Sequence, residues 1–289
     1  MRRTVFTIMS LVMIGSLVLA SFTPAAAQRP APSTTTEPLL VDNFDYGSTP
    51  GDLTAVSSWT AHSGVGTGPV QYVTTGLSMA GYGSSGVGGA ATISTSGSED
   101  VNRRFTNQTS GTVYFAALVN VSTAGSGTYF LHLKDSGTFN FRARVFAKNE
   151  AGVLRFGLGD TSTASYATAD FSYNTTYLIV VKFNATTGDT ALYVLNSSSA
   201  TEPTTPLLST TGTAQAVESI AIRQASGGPS ATIDSIRVAN TWEDVIGYSG
   251  GGGGSFTIAK SAPASVEVSE AFIYTLVATN GTGAVRSNV

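Results

Sequence analysis

Residues 112–121 read TVYFAALVNV. Val113, Phe115, Ala117, Val119 and Val121 fall on one side of an extended chain, and a period of two marks a strand, because a helix returns its apolar face about every 3.6 residues. Runs of the same kind recur on both sides of this stretch. LLVDNF (39–44) and VQYVT (70–74) precede it, and TYFLHL (128–133), FNFRARVF (139–146) and VLRFGLG (153–159) follow. Beyond them come TYLIVVKF (176–183), TALYVL (190–195), SIAIRQ (219–224) and TIDSIRV (232–238). In FNFRARVF the alternation sets Phe139, Phe141, Ala143 and Val145 on one face and Asn140, Arg142 and Arg144 on the other. Turn residues at Asp135-Ser136-Gly137, Asn149-Glu150-Ala151-Gly152 and Ala185-Thr186-Thr187-Gly188-Asp189 separate neighbouring runs at hairpin length. About ten strands in roughly 200 residues predict an all-β, antiparallel sandwich of two sheets.

Composition agrees and excludes several functions. Of 289 residues, 42% are hydrophobic, enough for a sizeable core, and 11% are charged. Thirty-two glycines, 14 Phe and 11 Tyr suit short strands and tight turns. With 15 basic and 18 acidic residues the formal charge is −3, so the electrostatic footprint of a nucleic-acid binder is missing and polyanions are not expected as partners. Cysteine is absent. Burial or a bound metal must do what disulfides do in other exported proteins.

The chain divides into five parts. Residues 1–27 carry Arg2 and Arg3, an apolar run from Val5 to Leu19 and the small residues Ala25, Ala26 and Ala27, the pattern of a Sec-type signal peptide. The run is shorter than the roughly 20 residues a membrane span needs, so no membrane insertion is expected after cleavage. Residues 28–38 are a Pro- and Thr-rich, disordered lead-in, and 39–245 form the sandwich. Residues 246–255 hold Gly250 to Gly254 and read as a flexible linker. Residues 256–289 start a second strand-turn-strand pattern, with Phe256 and Ile258, Val266 and Val268, then Phe272, Tyr274 and Leu276. About 34 residues fall short of the roughly 40 that fold unaided, which predicts a truncated module of a longer protein.

The opening LLVDNFDYGSTPGDL…WTAHSG, the central TSGTVYFAALVNVS, YFLHL, RVFAK, FGLGDTST, TTYLIVVKF and the closing IAIRQ…ATIDSIRVANTW resemble the concanavalin-A-like or laminin-G-like jelly-roll module of exported bacterial proteins. The resemblance spans about 200 residues and implies a jelly-roll topology. The tail, with Lys260, the Ser-Val-Glu-Val strand and YTLVATNGTGAVRSNV, resembles the opening of the immunoglobulin-like repeats of bacterial surface proteins, with Glu270 where such repeats usually carry Gly.

Catalytic patterns are weak. Jelly-roll hydrolases of the laminarinase type present carboxylates as E-x-D-x-x-E on one strand, and that pattern does not occur. His62 and His132 are the two histidines, too few for a zinc site without thiolates, and are expected on the surface or in packing. Gly81-Tyr82-Gly83-Ser84-Ser85-Gly86 fits a dinucleotide motif but lacks the following helix and acidic residue, and Gly247-Tyr248-Ser249-Gly250-Gly251 opens a linker instead of a nucleophile elbow.

Binding chemistry is better represented. Sugar faces stack on rings and sugar hydroxyls bond planar polar groups, which makes Tyr129, Arg142, Arg144 and Arg223 candidate ligand-binding residues. Trp59, Tyr72 and Tyr82 are further rings, although Trp59 and Trp242 sit where core plugs are expected. A solvated sheet face accounts for the arginines equally well. Strand parity sets Asp234 with Ile236 and Val238 on the apolar side and turns Ser235 and Arg237 to water, and a buried carboxylate needs a partner. The resemblance to carbohydrate-binding sandwiches that close their first and last strands with calcium implies a structural Ca2+ held by Asp42, Asp45 and Asp234, with backbone carbonyls completing the shell. The alternative is that Asp234 accepts backbone N–H bonds without a metal. The functional expectation is a non-catalytic bacterial module, secreted or at the cell surface, acting in adhesion or in binding a polysaccharide or cell-surface glycan. Alternatives are an accessory module of an exported hydrolase whose catalytic domain lies outside this chain, and a structural spacer. No motif sets an oligomeric state.

Overall fold

The computed structural model describes residues 37–247, 257–261 and 275–279. Residues 1–27, read as a signal peptide, nearly all of the expected lead-in and linker, and most of residues 256–289, read as an immunoglobulin-like start, lie outside them. The first half runs β1 (Leu40–Asp42), β2 (Gly51–Asp52), α1 (Leu53–Val56), β3 (Thr60–Ser63), β4 (Gln71–Val73), β5 (Ala90–Ile93), β6 (Asp100–Gln108), β7 (Thr112–Ala124) and β8 (Thr128–Lys134). It continues with β9 (Phe141–Glu150), β10 (Val153–Gly159), β11 (Ser165–Tyr166), β12 (Thr176–Asn184), β13 (Asp189–Leu195), β14 (Leu208–Thr211), β15 (Val217–Ile222), β16 (Pro229–Ala239) and α2 (Trp242–Ile246). A separate antiparallel pair, β17 (Thr257–Ser261) and β18 (Thr275–Thr279), lies in the C-terminal segment.

The strands form two antiparallel sheets, as the alternation predicts. A nine-stranded sheet has the order β14-β13-β12-β7-β16-β5-β4-β2, with β1 also pairing β16, and a seven-stranded sheet has the order β11-β10-β9-β8-β15-β6-β3. Neighbours distant in sequence, such as β7 beside β16 and β15 beside β6, give the crossed connectivity of a jelly-roll sandwich. The core lies between the sheets. Phe115, Ala117, Val119, Ile179 and Val181 face Leu131, Leu133, Val145, Phe156, Ile220 and Ile222 across it. A second apolar layer covers the outer face of the nine-stranded sheet, where Met79, Tyr82, Trp242, Val245 and Ile246 pack on Tyr114, Leu118, Leu178 and Val180. Helix α2 supplies part of this cover. The Thr241 hydroxyl caps its start by accepting from the Asp244 N–H, and Gly247 ends it at φ 60, the left-handed cap that glycine takes without cost.

Two strands depart from simple alternation. Ile233, Ile236 and Val238 all enter the core, so parity switches between Asp234 and Arg237, where the register with β7 shifts and Ser235 adopts φ 54. Ser235 and Arg237 are therefore buried rather than facing water, and Asp234 parts from Ile236 and Val238. The Ser235 hydroxyl donates to the Ser84 carbonyl, while Arg237 donates to the Ser84 hydroxyl and the Asp244 carbonyl. Strand β9 differs too. Ala143 and Val145 are core residues, but Phe139 is 85% exposed in the turn and Phe141 joins the opposite face.

At one end of the sandwich, Asp42 joins the sheets. Its carboxylate accepts from the Phe44 N–H at 2.9 Å, the Tyr46 hydroxyl at 2.7 Å, the Trp59 indole N–H at 2.7 Å and Arg103 at 2.6 Å. Trp59 stacks nearly parallel to Phe44, with ring centroids 6.0 Å apart. Removing the carboxylate strands a buried indole N–H and a partly buried guanidinium. We expect Asp42→Ala to lose about 3 kcal/mol of stability, read as a fall in the urea midpoint at constant m-value; a midpoint within experimental error of the native protein contradicts this role.

Candidate functional site

The seven-stranded sheet turns a second face outward, and its centre is built by two irregularities. Between Leu131↔Val145 and Leu133↔Arg142, His132 alone on β8 stands opposite both Ala143 and Arg144 on β9. Ala143 adopts φ 53, the left-handed conformation of a bulged residue. One step along, between Tyr129↔Phe146 and Leu131↔Val145, Phe130 is the unmatched residue, this time on β8. The bulge on β9 keeps the small Ala143 inward and gives Arg144 a place on the outer side, while Arg142, opposite the core residue Leu133, approaches Asp160.

Rings gather around His132. Phe141 lies 4.2 Å from its imidazole centroid, Tyr129 5.4 Å and His62, from β3, 6.3 Å. The guanidinium carbons of Arg144 and Arg223 lie 4.8 and 4.3 Å from the Tyr129 ring centroid, within cation–π range. Arg223 also donates to the Thr128 hydroxyl at 3.0 Å and approaches Asp100 at 3.7 Å, while Arg142 approaches Asp160 at 3.6 Å. Tyr129, Phe141, Arg142, Arg144 and Arg223 are all half-buried, open to a ligand and yet held. Beside His62 a cleft of about 200 Å³ continues the face, lined by Thr60, Asn102, Lys134, Gly137 and Ser219.

Several polar atoms here have no hydrogen-bond partner among the described residues: both ring nitrogens of His62, Nε2 of His132, and Nε of Arg142 and Arg144. Burial, with Lys134 nearby, pushes the His62 imidazole down to about 4. Burial likewise holds His132 well below the ordinary histidine range, although its Nδ1 contact with the Leu133 carbonyl opposes the shift. Both imidazoles are neutral at pH 7. Asp100 is pushed up to about 6 by burial, with Arg223 acting in the opposite direction.

Of the residues singled out from the sequence, Tyr129, Arg144 and Arg223 converge on one patch, whereas Arg142, in register with Leu133, approaches Asp160. His62, His132 and Phe141 complete it and were not legible as site residues. Parity places His132 outward beside Lys134, but only the fold brings His62 from β3 to β8. Trp59 and Tyr72 are core residues and Tyr82 is buried against the other sheet, its hydroxyl donating to the Ser235 carbonyl at 2.6 Å. A larger cavity of about 590 Å³ on the nine-stranded sheet is lined by Thr112, Lys182, Asn184, Asp189, Thr190 and Thr211 among others, with no ring in its wall.

No protein-family model matches the chain. No curated protein matches it either. Among solved structures, it is similar to a sialidase at a TM-score of 0.47 and 13% identity, covering 72% of this chain and 19% of that one. The chain therefore spans under a fifth of that sialidase. It is also similar to the T. cruzi calreticulin globular domain, at a TM-score of 0.42 and 8% identity, covering 69% and 90%. A third is domain 4 of AbnA, a GH43 extracellular arabinanase from Geobacillus stearothermophilus, in complex with arabinotriose, at 0.40 and 14% identity, covering 67% and 87%. The fold assignment stands on the strand order and register of this chain.

The three acidic residues expected to share calcium do not act alike. Asp42 is saturated by its four protein donors, one of them Arg103, so it is not free to ligate a cation. Asp45 is exposed. Among the described residues, no three His, Cys, Asp or Glu side chains gather as a metal cluster. Asp234, fully buried, accepts from the Leu77 N–H at 2.6 Å and from the Ser235 N–H, the bonds of the metal-free alternative. These bonds do not neutralise it: burial pushes its carboxyl up to about 7, and the nearby Asp42 adds to the rise. The surroundings also fit a hard cation. A Cβ on Gly76 would lie 2.7 Å from Asp234 Oδ2, 2.9 Å from the Gly89 carbonyl and 3.0 Å from the Gly88 carbonyl, so three oxygens line one small cradle. Asn43 Oδ1 is buried without a partner. The donors are all oxygen, as calcium requires.

The histidines give the site a pH signature. Unfolded His62 takes up a proton near pH 6.5 and folded His62 only near 4, so between these values the unfolded state binds more protons and acidification destabilises the fold. We expect His62→Gln to shrink the drop in melting temperature between pH 7 and pH 4.5 relative to the native protein; parallel profiles contradict the assignment.

Proposed function

We propose that this chain is an exported, non-catalytic module that binds polysaccharide on the outer face of its seven-stranded sheet, at or outside a bacterial cell surface, in adhesion or attachment. One observation carries the reading: Tyr129 and Phe141, with the Arg144 and Arg223 guanidiniums over the Tyr129 ring, lie half-buried on the outer sheet face, packed on the neutral His62 and His132. Rings supply stacking area, and the half-buried guanidiniums of Arg144 and Arg223 supply hydrogen bonds for hydroxyls. Non-catalytic action is supported by the pairing of nearby carboxylates with arginines, Asp160 with Arg142 and Asp100 with Arg223, instead of with one another across a cleft. No helix among the described residues is long and apolar enough to cross a membrane. Affinity electrophoresis of the full chain against a panel of polysaccharides tests the reading. At least one polymer is expected to retard the native protein, and Tyr129→Ala and Arg144→Ala each to weaken retardation about tenfold, about 1.4 kcal/mol. Silence across neutral and acidic polymers alike overturns it.

A structural calcium belongs to the same proposal. Asp234 and the Gly88 and Gly89 carbonyls would hold it, joining the last long strand of the sandwich to the loop before β5. Its charge would offset that of a carboxylate which burial otherwise disfavours. Calcium is expected to raise the melting temperature of the native protein, EDTA to reverse the rise, and Asp234→Asn to abolish it; equal melting temperatures in calcium and EDTA remove the metal.

A further inference from the structure

We infer that the patch around Arg144 is a subsite for a sugar bearing an oxyanion, a carboxylate or a sulfate ester, within the polysaccharide that this face binds; the inference rests on the proposed binding function and narrows its ligand. Counter-ion pairing leads there. The other arginines on this part of the sheet have acidic partners, Arg142 with Asp160, Arg223 with Asp100, and Arg155 with both Glu150 and Asp170; Lys148 has Glu150, and Lys134 donates to the Asp135 carbonyl. Arg144 has none among the described residues. It makes one long bond to the Phe141 carbonyl at 3.4 Å, lies over the Tyr129 and Phe141 rings, and leaves Nε buried and unpartnered.

That arrangement is costly without an anion. Burial lowers the basicity of the Arg144 guanidinium; Tyr129 and the Asp160 carboxylate oppose the shift, and Arg142 and Arg223 add to it. A guanidinium does not shed its proton in a protein, so the desolvation and like-charge repulsion persist in the folded state. Arg144 is half-buried, so part of its guanidinium stays open, and a guanidinium edge matches the paired oxygens of a carboxylate or sulfate.

The overall charge of −3 points the other way and makes the inference specific. A chain with an acidic excess gains no affinity for polyanions from its bulk field, so binding must come from the local cluster. The test compares a polyuronate, a sulfated galactan and two neutral glucans on the full chain, by isothermal titration at about 50 and about 500 mM NaCl. Tighter binding of the polyuronate or the sulfated galactan than of either glucan, weakened at least about tenfold by salt, is expected, and the tighter of the two identifies the oxyanion. Arg144→Ala is expected to weaken that binding about tenfold, and Arg144→Lys not to restore it, because an ammonium cannot match two oxygens. Arg155→Ala, at a position already paired with Glu150 and Asp170, is expected to change affinity less than about twofold. Neutral glucans bound as tightly as the acidic polymers overturn this inference and leave the polysaccharide reading standing, whereas binding of nothing overturns both. An equal loss in the Arg144 and Arg155 variants reduces the effect to bulk charge and also overturns it. If the Arg144 variants do not fold, Arg223→Gln and the ligand preference of the native protein decide.

Discussion

The Asp42 carboxylate is the joint on which the sandwich closes. It stands at the end of β1, a strand of three residues, and reaches Arg103 on β6 in the opposite sheet. A buried charge is tolerable only when its lone pairs are occupied, and here a backbone N–H, a phenol, an indole and a guanidinium occupy them. Because the chain has no cysteine, this polar cross-tie does the work that a disulfide does elsewhere. Phe44, itself at φ 50, and Trp59 stack against each other in the core beside it, so polar and apolar contacts fix the same corner.

Fold class was legible because it depends on alternation, and alternation survives in most strands. The reading of TVYFAALVNV held residue by residue: Val113, Phe115, Ala117, Val119 and Val121 are all core. It failed where one residue was added or a backbone turned left-handed. Ser235 and Ala143 both take positive φ, an event that no hydropathy pattern records, and each reverses the parity of its neighbours. For the same reason Arg237 is buried under the Ser84 loop and α2, where the alternation placed it in water.

The site was half legible. Tyr129, Arg142, Arg144 and Arg223 advertise themselves by residue type, since rings and guanidiniums on the polar parity of a strand are what a sugar surface needs. The histidines did not, because two isolated imidazoles about 70 positions apart carry no local signal and become neighbours only when β3 and β8 enter one sheet. Asp42 was misread for a related reason. A carboxylate near the start of a jelly roll looks like a cation ligand until the guanidinium facing it, 61 residues away, is known.

The two bulges between β8 and β9 lie on opposite strands, so they cancel: three residues lie between Tyr129 and Leu133, and three between Arg142 and Phe146. Either irregularity alone would throw the rest of the hairpin out of step, exchanging its inward and outward side chains. Together they leave the hairpin's far end in register. Evolutionary change in this stretch should therefore proceed by coupled indels, with a residue lost from one strand tolerated only in lineages that have also lost one from its neighbour.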